Sequence, residues 1–154
     1  MSVPIRTAAL VAIAARLTSE MTGVVVERAR RVEIDLDTES LPRLMLVGTD
    51  WSADETAEPM MTHYTMGFSV DGYVGQFPRG TSDAEVEDAV SMLHARVVAA
   101  LAGWTPAESG LQDVAEQDAD FQTFDAEDSA RQAASFTARF TMLITAARGN
   151  PYSP

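Results

Sequence analysis

The run from Phe136 to Thr145 constrains this chain most. Phe136, Ala138, Phe140, Met142 and Ile144 take every second position. Thr137, Arg139, Thr141 and Thr145 lie between them, and Leu143 alone is apolar on the polar side. A period of two puts the apolar side chains on one face of a strand and the polar ones on the other. A second run obeys the same rule. In "MTHYTMGFSV", Tyr64, Met66, Phe68 and Val70 point one way, and His63, Thr65, Gly67 and Ser69 the other. Two half-apolar strands of this kind require a sheet that is covered on one side.

Two segments have the helical period that could supply the cover. From Pro4 to Thr22, Ile5, Ala8, Ala9, Ala12, Ile13 and Leu17 recur at intervals of three and four, and Gly23 is a natural stop. Proline is tolerated in the first turn. From Ser82, Val86, Val90, Leu93, Val97 and Leu101 form a second stripe ending before Gly103. Ser82 and Glu85 have the spacing of a capping box, in which each side chain bonds the other residue's amide.

The remaining segments are weaker. "VVVERARRVEIDLD" alternates at Val24 and Val26 and again at Val32, Ile34 and Leu36, which predicts a strand broken near Arg28–Arg31. Leu44–Val47 predicts a short strand. Residues 49–59 read as an acidic loop holding an exposed Trp51. Asp71-Gly72 reads as a turn, with a short extended piece or loop after it. Residues 106–113 suit a helical turn and 118–124 a strand. The loop at 49–59 and the connection at 125–132 are expected to be the mobile parts. The order helix, strands, helix, strands predicts an α+β fold: one domain over 1–154, with an antiparallel or mixed sheet and two main helices packed on one side.

A chain of 154 residues suits one domain with a real core. It has no cysteine, which excludes disulfides, thiolate metal sites and a cysteine nucleophile. The net charge of -12 disfavours sequence-independent binding to DNA phosphates. The opening apolar run is interrupted by Arg6 and Arg16 and is too short to span a membrane. A cytoplasmic chain without a targeting segment is the expectation.

Chemistry-bearing motifs do not assemble. His63 and His94 have no partner at metal-ligand spacing. "GFSVD" has Asp71 where a nucleophile elbow needs glycine. The acids from Asp113 to Asp128 miss the glycine and glutamate of a calcium loop, because the sixth and twelfth positions from Asp118 are Thr123 and Ser129. Asp35 and Asp37 could pair for acid–base work but lack a nearby nucleophile. Arg28, Arg30 and Arg31 form the one basic cluster. They either pair with acids of their own chain or meet an acidic patch on a neighbouring copy. No cofactor and no catalytic or metal residue is expected.

The chain resembles the tail terminator, or tail completion, proteins of long-tailed bacteriophages and of gene transfer agents. The resemblance rests on an ordered set of short marks. These are the opening helix "IRTAALVAIAARL", "VERARRVEIDLDTESLPRLML", the acidic "DWSADETAE" before "HYTMGFSV", the helix "DAEVEDAVSMLHARVVAALAG", and the ending "FTARFTMLITAARGNPY". Asn150 stands where such endings commonly carry aspartate. The resemblance implies a non-enzymatic structural subunit of the virion's tail–neck junction, assembled in the host cytoplasm. It implies a homohexameric ring that caps the tail tube, stops its growth and receives the head-closure or connector protein. DNA would pass through the channel without specific binding, and no membrane is involved.

Under that reading the residues expected at subunit or partner contacts are Arg28, Arg30, Arg31, Asp35, Asp37, Trp51, Arg148, Asn150, Pro151 and Tyr152. Residues 148–154 are expected to reach a neighbour, because Gly149 permits a sharp turn, Pro151 blocks further pairing and Tyr152 offers an amphipathic anchor. The alternative is that they fold back on their own domain. Two other functions stay open. One is a head-closure or other neck component. The other is a small enzyme or ligand-binding domain that brings His63, Asp71 and Asp120 together. Phage, gene transfer agent and tail-like bacteriocin are equally compatible with the residues.

Overall fold

The computed structural model describes residues 2–54, 58–124 and 132–152. Seven elements follow in order: α1 (Ile5–Glu20), β1 (Val25–Arg28), β2 (Arg43–Asp54), β3 (Met61–Gly75), α2 (Asp83–Leu101), β4 (Leu111–Phe124) and β5 (Ala133–Ala147). The strands form one sheet in the order β1-β2-β3-β5-β4. β1 runs parallel to β2, and every other neighbouring pair is antiparallel. The sheet is therefore mixed, and the α+β expectation holds.

Both helices lie on one side. α1 packs beside β1, β2 and α2, while α2 lies over β3, β5 and β4. The core sits between these layers. Ala9, Ile13 and Leu17 enter from α1 and Val86, Val90, Leu93, Val97 and Leu101 from α2. They meet Leu44, Leu46, Phe68, Val70, Phe136 and Phe140 of the sheet. Phe68 pairs with Phe140 across β3 and β5, their rings stacked at 5.4 Å. The alternation in β5 is followed without exception from Phe136 to Ile144.

The helix ends are satisfied differently. At α2 the capping box forms: Ser82 Oγ accepts from the Glu85 amide at 3.2 Å, and Glu85 Oε2 accepts from the Ser82 amide at 2.9 Å. At α1 the N-cap is Pro4, which makes no side-chain cap bond. The Ile5 amide instead donates to the Pro151 carbonyl at 2.8 Å. A helix N-terminus leaves amides without intrahelical partners, and here the 148–152 segment supplies one acceptor.

Four local expectations change. No strand forms at Val32–Leu36; β1 ends at Arg28, Ala29 has a φ of 40°, and residues 29–42 make an irregular loop. That loop is held by side chains rather than by a ladder. Arg30 grips Glu39 with both terminal nitrogens, and Gln76 Nε2 donates to the carbonyls of Leu36, Asp37 and Glu39. The short strand at Leu44–Val47 extends to Asp54, through a bulge between Gly48 and Trp51, so half of the expected acidic loop is sheet. Residues 55–57 of that loop lie outside the described residues, as do 125–131 of the connection at 125–132.

Asp71-Gly72 makes no turn; β3 runs straight through it to Gly75. Gly72 is there because the Phe136 ring lies against its α-carbon, where any Cβ would overlap the ring. The helical turn at 106–113 is absent, and β4 starts at Leu111 rather than near Asp118. Its first part is fixed by Trp104, whose carbonyl accepts from the Val114 amide, and by the Gly103 amide, which donates to Val114. Gly110, with a φ of 85°, turns the chain into β4 where a side chain would strike the Thr145 carbonyl.

Candidate functional site: the uncovered sheet face

Because side chains alternate along a strand, the five strands present a second face away from the helices. Its centre carries Ser69, Asp71 and Tyr73 of β3 opposite Arg139, Thr137 and Ser135 of β5. Ser69 and Ser135 are buried, while Arg139 is exposed. Burial raises the Tyr73 hydroxyl above the usual phenol range, helped by the charges of Asp71 and Glu33.

Two polar networks organise this face. On the β4 side, Arg139 forks between Asp118 at 2.9 Å and Asp120 at 2.7 Å. The hydrogen bond to Asp118, then that to Asp120, holds the guanidinium above its ordinary value. Near the far end of β5, Gln112 Nε2 donates to Thr145 Oγ1 at 3.1 Å, and that hydroxyl lies 3.1 Å from His63 Nδ1. His63 Nε2 is 3.9 Å from Glu58.

The residues expected at contacts fall into two separate groups. The first surrounds β1. Arg28 and Arg31 are exposed, whereas half-buried Arg30 is spent on Glu39 and on Glu27 at 3.6 Å. Glu27 also pairs with buried Arg43. The Arg30 hydrogen bond, followed by the Asp35 amide, lowers Glu39 below the ordinary glutamate range. Asp35 is lowered mainly by the Thr38 hydroxyl, then by the Asp37 amide, which donates to its Oδ1 at 3.0 Å. Asp35 and Asp37 are thus parts of one turn rather than an acid–base pair facing a cleft.

The second group gathers where β2 ends, β3 begins and β5 leaves the sheet. Trp51 stacks on Tyr64 with ring centroids 4.7 Å apart. The Arg148 amide donates to the Met60 carbonyl at 2.9 Å. Asn150 Oδ1 accepts from the Tyr152 amide at 3.2 Å, Pro151 caps α1, and Tyr152 forms an antiparallel bridge with Pro4. Residues 148–152 therefore lie against their own domain, with the Tyr152 side chain left exposed.

His63, Asp71 and Asp120 do not converge. Asp71 and Asp120 flank Thr137 from the strands on either side of β5, about 10 Å apart at the usual strand spacing. His63 lies eight residues along β3 from Asp71, about 26 Å away at the rise of a strand. His94 is placed on the other side, edge-on to Phe121 at 5.1 Å and to Phe136 at 5.2 Å. Among the described residues, no three His, Asp or Glu side chains are grouped to hold a metal ion, and no helix is long and apolar enough to cross a membrane.

The Arg139–Asp118–Asp120 fork escapes a residue-by-residue reading, although its signal is present. Acids two apart on a strand share a face, and Arg139 sits on the polar side of its neighbour. The pairing register that joins them is a tertiary fact. No protein-family model matches the chain, and no curated protein matches it.

Proposed function

We propose that this chain is the subunit of a closed ring that ends a tail tube and presents the tail side of a head–tail joint. The observation that carries the reading is the sheet itself: one face is sealed by both helices, the other bears no helix and is largely polar toward β5 and β4, and β1 and the far part of β4 stand at its two edges. Such an element is built to meet other protein surfaces along its face and edges. Its order of parts, helix, strands, helix and strands, agrees with the resemblance to tail terminator proteins. In a ring the acids of the uncovered face would repel DNA phosphates and let the duplex pass. The tube protein and a head-side connector are the partners this role requires.

Electron microscopy of particles made without this gene tests the reading. Overlong tubes without heads are expected. Tails of normal length without heads would move the chain to the head side of the neck, and unchanged particles would overturn both roles. Deleting residues 149–154 asks a narrower question. If rings and joined particles still form, the 148–152 segment serves only its own domain through the Pro151–Ile5 bond.

A further inference from the structure

The two edges of the sheet are unlike, and they match each other. In β1 the amides of Val25 and, just beyond it, Ala29 donate inward to Pro42 and Leu46. By alternation the backbone groups of Val26 and Arg28 face outward, and among the described residues nothing bonds them. On the far side, the outer edge of β4 is occupied at Val114 by residues 103 and 104 and is open beyond Glu116. That open stretch reads "EQDADFQTF", with no proline and no arginine. Its acids are the charges that would discourage pairing with another acidic edge, and Arg139, one positive charge shared by Asp118 and Asp120, offsets only part of them.

We infer that the β1 edge of one copy pairs antiparallel with the open β4 edge of the next, so that the sheet continues from subunit to subunit. Three observations agree on the direction. β1 runs with β2 and β5, and β4 runs against them, so a copy continued in the same orientation brings its β1 antiparallel to β4. In that sense exposed Arg28, on the helix side of β1, and Arg31, just beyond the strand, lie toward Glu116, which shares the helix side. On the other side Glu27 and the Asp118–Asp120 pair come together, but each is already held within its own copy, by Arg43 and by Arg139. The valine end lies along Phe121, which is 48% exposed. A parallel pairing would reverse both matches, setting arginines against Phe121 and valines against the acids.

The helix layer supports the same arrangement. α2 leaves a groove of about 490 Å³ beside β4, lined by Glu87, Val90, Ser91, Phe121, Gln122 and Thr123. Continuing the sheet brings α1 of the next copy to this side, with its exposed Val11. Since the two edges differ, the contact is head-to-tail, and such contacts close into rings or extend as filaments. The inference deepens the ring proposal and rests on it for closure, while the edge pairing itself is a separate claim.

The absence of native cysteine makes the test specific. Val25→Cys and Gln122→Cys place single thiols on exposed positions that share the uncovered face. Oxidising a concentrated mixture of the two full-length variants is expected to give a cross-linked dimer, and the double variant a ladder. Adding Arg28→Glu and Arg31→Glu should reduce the mixed product by about tenfold or more, and Glu116→Arg on the facing copy should restore part of it. Cross-linking of either variant with itself at the same yield, or no mixed product, would overturn the pairing. Overlong tails on gene deletion without a mixed product would leave the terminator role standing and remove this interface. A mixed product from a gene whose deletion leaves particles unchanged would do the reverse.

Discussion

On one side of β5, Phe136, Phe140 and Ile144 are buried in the core; on the other side of the same strand, Arg139 and Leu143 reach solvent and Thr137 and Thr141 are half-exposed. The helix side is governed by volume, because close-packed interiors leave little room for a changed shape. The uncovered side is governed by hydrogen bonds and charge, so its residues can change partners without disturbing the core. One set of strands thus separates apolar packing from polar contacts by face.

Substitutions can break that comparison. The largest loss is expected from Phe140→Ala, about 3–5 kcal/mol by denaturant unfolding, because it removes a stacked, fully buried ring. Gly72→Ala should cost about 1–3 kcal/mol, since the new methyl meets the immobile Phe136 ring. A neutral result there would mean that β3 and β5 slide past each other more freely than their register implies. Leu143→Thr, on the open side, should stay within about 0.5 kcal/mol in the isolated chain. A loss as large as that of Phe140→Ala would show that the uncovered face is sealed after all.

The smallest effect is local and depends on pH. Glu39 is lowered in the fold relative to the unfolded chain, so its contribution is full above the ordinary carboxylate range. It fades as pH falls through the folded value and the carboxylate takes up a proton. Amide exchange in residues 29–42 should therefore quicken on acidification, and Glu39→Gln should flatten that dependence while leaving β5 protected. A flat profile in the unmodified chain would mean that the Arg30–Glu39 pair does not order the loop.

Both helices, the α2 capping box and the two alternating strands are legible in the sequence because each depends on near neighbours in the chain. The misread segments depend on distant ones. Val32, Ile34 and Leu36 alternate like a strand, but Gln76 takes the carbonyls of Leu36, Asp37 and Glu39. Asp71-Gly72 has the composition of a turn, but its glycine answers to Phe136, which lies on another strand. The contact candidates were legible as charge and aromatic types, yet only the fold divides them between the β1 edge and the Trp51–Tyr152 end. The Arg139 fork needed the register of β4 against β5.

The position of β5 has a consequence for the making of the protein. It is the last of the seven elements to leave the ribosome, yet it lies inside the sheet, between β3 and β4. A chain that stops short of it leaves β4 without its neighbouring strand and β3 paired with β2 alone, and its Phe68 side chain has no Phe140 to stack on. Any chain cut before β5 is therefore barred from completing the sheet.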